Sequence, residues 1–309
     1  MILPLRLGTR GSPLALTQAR MVVAALTAAH DLAPDAITIV PIRTSGDRIQ
    51  DRALAEVGGK ALWTKELDRA LFDGDIDFAV HSMKDVETVR PDRIVIAAML
   101  ERADVRDRLI GAETVSALPP SACVGTSSPR RAAQLARARP DIRTVLFRGN
   151  VATRLAKLGA GEADATLLAA AGLDRLGHDT IGHAIATSEM LPAPAQGAVG
   201  IETLGDAQDI RLMLAAVDHR DTSLAVVAER AFLAELGADC RSPVAALMAR
   251  DGTDWRLRAQ ILSMDGTLCE SGEAIVAGDD PDAHAAMAAN LARALLDRAP
   301  PALRTLFAP

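Results

Sequence analysis

The chain has 309 residues, 49% of them hydrophobic, which is ample material for two or three cored domains and excludes a disordered polymer. A net charge of −6, 2% aromatic content and no tyrosine argue against a general nucleic-acid binder, because neither a basic footprint nor a stacking platform is available. The three cysteines, Cys123, Cys240 and Cys269, are widely spaced and lack a CxxC pair, so neither a disulfide framework nor a metal site is expected and a reducing cytoplasm suits them.

In chain order, "LRLGTRGSPLALTQA" (5 to 19) reads as a short apolar strand, a Gly-Thr turn, a serine cap at Ser12 and Pro13 at the first helical position. The apolar stretch 21 to 29 continues that helix, and no run of 18 or more apolar residues is present, so neither a membrane span nor a cleaved leader is expected. A strand over 36 to 44 follows. "EVGGKALWTKEL" (56 to 67) places Lys60 and Trp63 after a Gly-Gly turn, as a mobile cover or an ordinary loop. "LDRALFDGDIDFAVHS" (67 to 82) is a helix, a glycine turn and a strand, with Lys84 and Asp85 just past the strand end. His81 is expected to be structural, since no second histidine stands at ligand spacing.

"CVGTSSPRRAAQLA" (123 to 136) repeats the strand, turn, serine cap and proline, now at Ser128; a strand over 142 to 149 and a helix and strand within 153 to 172 complete a loose duplication. "LPAPAQGAVGIE" (191 to 202) reads as a rigid return and hinge containing Gln196. From residue 219 the pattern changes to a helix (222 to 236), two strands joined at Met264-Asp265-Gly266, and an alanine-rich helix (282 to 298).

Strands alternating with helices imply parallel α/β sheets, whose ligands collect beyond the carboxyl ends of the strands. Two such lobes would frame a cleft, with helix N-termini at Ser12 and Ser128 offering N–H groups to anions. Six arginines, Arg10, Arg130, Arg131, Arg148, Arg154 and Arg175, fall at or beyond strand ends of an acidic chain. Arg130 and Arg131 occupy the first turn of a helix, where the dipole disfavours cations; either they are solvated or a bound anion compensates them. In "LGADCRSPVAA" (236 to 246), Cys240 follows a helix and has Arg241 beside it, which is expected to favour the thiolate.

The motifs "LGTRGSPLALTQA", "GGKALWTKEL", "DFAVHSMKD", "VGTSSPRRAAQL", "FRGNVATRL", "AAGLDRLG", "LPAPAQGAVGIE" and "ERAFLAELGADCRSPV", in this order over residues 5 to about 247, closely resemble the porphobilinogen deaminase (hydroxymethylbilane synthase) family. The resemblance implies two periplasmic-binding-protein-like (type II) lobes with parallel-dominated sheets and a small α+β C-terminal domain. Their bounds are expected at 1 to 99 with 199 to 217, at 103 to 193, and at 218 to 309. It implies a cytoplasmic monomeric transferase of haem and other tetrapyrrole biosynthesis, without nucleic-acid or membrane partners. Such an enzyme condenses four porphobilinogens head to tail, releasing ammonia, on a dipyrromethane cofactor, and hydrolysis then frees the linear tetrapyrrole. By motif position the cofactor is held as a thioether on Cys240.

The catalytic acid implied is Asp85, an ionised carboxylate suited to the positive charge that develops on pyrrole nitrogens. Cofactor-binding positions implied are Ser82, Lys84, Thr126, Ser128, Arg130, Arg131 and Arg154; substrate-side positions are Arg10, Ser12, Lys60, Arg148, Arg175 and Gln196. Every ring carries an acetate and a propionate, so the arginines have a stated use. Glu56, Trp63 and Asp239 depart from residues common in the family. Two other readings stand beside this one: a solute-binding protein, which would have no use for Cys240, and a cysteine hydrolase with Cys240 as nucleophile and His219 as base.

Overall fold

The computed structural model describes residues 4–44 and 64–307; Glu56, Lys60 and Trp63 lie outside the described residues. The chain divides into two compact units. Among the described residues the first comprises 4–44, 64–103 and 197–223, and the second 104–196 and 224–307.

The first unit contains β1 (Leu5–Arg10), α1 (Pro13–His30), β2 (Ile37–Ile42), α2 (Lys65–Phe72), β3 (Phe78–Ser82), a 3₁₀ turn (Met83–Asp85), β4 (Ile94–Met99), β10 (Val199–Leu204) and α6 (Gln208–Ala215). Its sheet runs β2-β1-β3-β10-β4. β1 pairs in parallel with β2 and β3, and only β10 is inserted against the common direction. The strands read as near-continuous apolar runs because both faces are covered. Leu5, Leu7, Phe78, Val80 and Ile201 pack with Ala19, Val22 and Leu26 of α1, while Ala79 and Ile76 pack with Leu67, Ala70 and Leu71 of α2. Ser12 caps α1, its Oγ accepting from the Ala15 N–H, with proline in the first turn as its sequence predicts.

The second unit has β5 (Asp107–Ile110), β6 (Cys123–Gly125), α3 (Pro129–Ala138), β7 (Arg143–Val145), α4 (Val151–Gly159), β8 (Ala165–Ala169), α5 (Ala170–Arg175) and β9 (His183–Ala184). Its sheet order is β7-β6-β8-β5-β9, with β6 parallel to β7 and β8 and with β5 antiparallel to both its neighbours. Substituting β1, β2, β3, β10 and β4 for β6, β7, β8, β5 and β9 turns one order into the other. The duplication visible in the sequence is therefore present in the sheets, and each is the mixed, mostly parallel type II lobe expected. The strand expected over 142 to 149 stops at Val145, because Phe147 turns inward beneath Gly125, where a Cβ would lie 2.4 Å from the ring.

The same unit carries α7 (Arg220–Glu235), apart from its first turn, and an antiparallel sheet of β11 (Val244–Asp251), β12 (Asp254–Leu262) and β13 (Cys269–Ala277). α8 (Pro281–Arg298) and the short α9 (Pro301–Arg304) complete it. Phe232, Leu236, Trp255, Leu257 and Leu295 form its core. The hairpin expected at Met264-Asp265-Gly266 is present, Gly266 having φ 71°. β11 escaped the sequence reading because Val244–Met248 is buried throughout and shows no alternation; Ala245 and Leu247 pack on Leu191.

Candidate active site

In the first unit the carboxyl ends of β1 and β3 place Arg10 and Ser82 beside the N-terminus of α1. With Ser12, Gln18, His81 and Asp85 they line a small, open pocket. Asp85 ends the 3₁₀ turn that follows β3, and this turn is fixed by the Met83 N–H donating to the Ala198 carbonyl at 3.1 Å. Gly200 of β10 lies against the Met83 side chain: a Cβ there would fall 2.1 Å from Met83 Sδ, so any larger residue must push that side chain aside. Ser82 Oγ exchanges hydrogen bonds with Gln18, whose Nε2 donates at 2.7 Å. Gln18 was not singled out in the sequence; its signal was a glutamine on the buried, otherwise apolar face of α1. Lys84 is half-buried inside the turn.

His81 is buried with Nε2 3.1 Å from the Glu202 carboxylate, within a buried ion cluster behind the turn. Arg90 centres this cluster: Nε and Nη2 donate to Glu202, Nη1 to Thr64 and Glu87, and Nη2 also to Asp68. Burial pushes the Asp68 carboxyl up, with Arg90 opposing. Burial also acts to raise Glu202, but His81 and Arg90 outweigh it and bring the group down to about 2.

In the second unit Arg130 and Arg131 stand in the first turn of α3, capped by Ser128, whose own N–H donates to Thr126 Oγ1 at 3.1 Å. Neither arginine is solvated. Both donate to the fully buried Asp107 of β5, each through Nη2 at 2.7 Å, and Gln196 Nε2 donates to the same carboxylate at 2.9 Å. Burial would raise Asp107; the two guanidinium groups hold it well below the usual carboxylate range. The anion that admits cations to a helix N-terminus is thus in part internal, and nothing in the sequence marked Asp107. Two arginines against one aspartate still leave a positive charge, which adds to the helix dipole at Ser128.

Around this centre Arg154 of α4 donates to the Gly149 carbonyl at 3.0 Å and to Ser127 Oγ at 3.4 Å. Arg148 is buried after β7, and Arg175 ends α5, where burial pushes its guanidinium down. The structure therefore brings Arg10, Ser12, Ser82 and Asp85 together in one unit, and Arg130, Arg131 and Gln196 together in the other. Gln196 is only 1% exposed.

Cys240 lies in the turn after α7 and is exposed, whereas Cys123 and Cys269 are half-buried in strands. Arg241 was expected to favour its thiolate, but the guanidinium is directed mainly at Asp239, with Nη2 to Oδ2 at 2.6 Å. That pairing raises Arg241, and Cys240 contributes only a minor attraction. His219 Nδ1 is engaged by Thr222 Oγ1 at 3.0 Å.

These features define an α/β protein whose two units each set arginine beside a serine-capped helix N-terminus and whose second unit displays a thiol. Residues 5–212 match the family model "Porphobilinogen deaminase, dipyromethane cofactor binding domain", and residues 223–297 match "Porphobilinogen deaminase, C-terminal domain". A porphobilinogen deaminase of Sphingopyxis alaskensis is 60% identical, covering 99% of this chain and 97% of its own length. One of Paracoccus denitrificans is 50% identical, covering 96% and 95%. The chain belongs to the porphobilinogen deaminase family. Among solved structures, a periplasmic His/Glu/Gln/Arg/opine family-binding protein from Silicibacter pomeroyi is 15% identical with a TM-score of 0.37, covering 69% of this chain and 88% of its own; at that score it adds nothing to the strand order.

Proposed function

We propose that the chain is a cytoplasmic, monomeric porphobilinogen deaminase that condenses four porphobilinogens head to tail and carries its dipyrromethane as a thioether on Cys240. Its single strongest support is Cys240 itself: of three cysteines it alone is exposed, in a turn, within a family whose first model is named for that cofactor. The donor set fits the group, because carboxylate-bearing rings need arginines and helix N-termini, and a thioether needs an accessible thiol. When bound, the cofactor supplies the pyrrole α-carbon from which the chain of rings grows, each added ring releasing one ammonia.

The residues divide the remaining work. Lys84, Arg130, Arg131 and Arg154, with Ser82, Thr126 and Ser128, hold the cofactor's carboxylates; Arg10, Ser12, Arg148 and Arg175 hold those of porphobilinogen, as would Lys60. Gln196, whose motif position is on the substrate side, is buried and acts instead by orienting Asp107 and, through it, the cofactor-side arginines Arg130 and Arg131. Asp85 stays ionised and stabilises positive charge on pyrrole nitrogen. The hydrolase alternative uses Cys240 transiently and requires His219 as a base.

Denaturing mass spectrometry separates these readings. The purified protein should carry an addition equal to two porphobilinogens less two ammonias, resistant to thiol reductants and mapped to Cys240. Cys240→Ser should lose adduct and activity together. A fully active protein with an unmodified Cys240 would refute the tether.

A further inference from the structure

The Arg90 cluster is buried, highly ordered in its chemistry and unused by the function proposed above. All five N–H donors of Arg90 are engaged, on Glu202 twice and on Asp68, Glu87 and Thr64 once each. Thr64 Oγ1 also donates to Glu87 at 2.6 Å, and His81 faces Glu202. Four segments meet here: the start of α2, the end of β3, the chain after the 3₁₀ turn, and β10. The turn carrying Lys84 and Asp85 lies between two of the attachments, with His81 four residues before Asp85 and Glu87 two residues after it. Neither end of the turn can shift without breaking charge-assisted hydrogen bonds in a buried site.

We infer that Arg90 is a positioning residue for Asp85: through Glu87 on one side and Glu202 with His81 on the other, it sets where the Asp85 carboxylate stands. This rests on the catalytic reading of Asp85. A planar fork is needed for the task, because one group must satisfy acceptors on α2, on β10 and after the turn at once; a lysine ammonium has too few donors and no fixed plane. The cluster also has a pH signature. Arg90 and His81 face the three carboxylates Asp68, Glu87 and Glu202, and among the described residues Arg90, Glu202 and His81 are the charged groups that act most on Asp68. Without Arg90, Asp68 loses its hydrogen-bonded cation and Glu202 keeps only His81 of the pair that holds it down, so both carboxylates bind protons at higher pH.

The test compares Arg90→Met, Arg90→Lys and Glu87→Gln in holoenzyme whose cofactor mass has been verified, well below each melting temperature. Arg90→Met should lower kcat about 10- to 100-fold with a much smaller change in KM, the scale of misplacing a catalytic group by a fraction of an ångström to one ångström. Its acid limb of kcat should move up by about one pH unit. Arg90→Lys should keep the acid limb nearer to wild type but not restore kcat. Glu87→Gln, partly exposed and tolerated by the fold, should lower kcat less and covers the case in which Arg90→Met fails to fold. Wild-type kcat and acid limb in the folded variants would overturn the inference. Asp85→Asn distinguishes the two levels: if it is inactive while the Arg90 variants are normal, only the positioning role fails; if Asp85→Asn turns over normally, the catalytic reading fails first.

Discussion

Each of the two units has a buried ion cluster among its described residues, and the two clusters are built with opposite stoichiometry. In the first, one arginine is set among three carboxylates and a histidine; in the second, one aspartate is set between two arginines. The difference is in what each can do when a partner is lost. Carboxylates deprived of a cation can take up protons, so the first cluster has a route to neutrality. Arginines deprived of an anion have none, since a guanidinium stays charged at any accessible pH. The second cluster is thus the more brittle, and its residual positive charge is fixed, as the proposed binding of carboxylates requires. The first can tune its charge, and its attachments flank the turn that carries Asp85.

The largest stability effect is expected at Asp107. Asp107→Asn keeps the shape but leaves two buried cations uncompensated, at a cost of about 3–5 kcal/mol, nearly constant between pH 5 and 9. Because the folded Asp107 carboxyl lies below its unfolded value, the stabilisation it gives is present above about pH 4 and is lost as pH falls from there; the variant should therefore approach wild type in strong acid. Urea titrations across pH would read both effects. Arg90→Met comes next, at about 3 kcal/mol at pH 8. Here the orphaned carboxylates have folded pKa values above their unfolded ones, so the variant regains stability on acidification well before pH 4. Equal pH slopes in the two variants would break the contrast. The smallest effect belongs to Gln196→Leu, about 1 kcal/mol by calorimetry, since Asp107 retains both arginines.

Much of this molecule could be read before its coordinates. The two serine-capped, proline-started helices, the strand ends bearing Arg10 and Asp85 and the hairpin at Gly266 all follow from local rules, and the duplicated order followed from them. The clusters could not be read. Arg90 and Glu202 are 112 positions apart, and Asp107 and Gln196 are 89 apart, so no window contains both partners. Arg130 and Arg131 did show a local conflict with the helix dipole, which pointed correctly to an anion but not to an internal one. Cys240 was legible as a thiol in a turn with Arg241 attracting it, while the stronger pairing of Arg241 with Asp239 was not, because it depends on side-chain direction rather than spacing.

The insertion of β10 between β3 and β4 also dictates an order of events during synthesis. The strands of the second unit's large sheet, β5 to β9, are contiguous in the chain, so that sheet can close as soon as they have emerged. The first sheet cannot: β3 and β4 are joined only through β10, so the edges that will receive residues 199–204 stay open while the intervening lobe is being made. Glu202 travels on that late strand, so the seat of Asp85 is among the last local structures of its lobe to form. A nascent chain stalled before β10 would present two unzipped strand edges, and it is in that interval that a holding chaperone has most to protect.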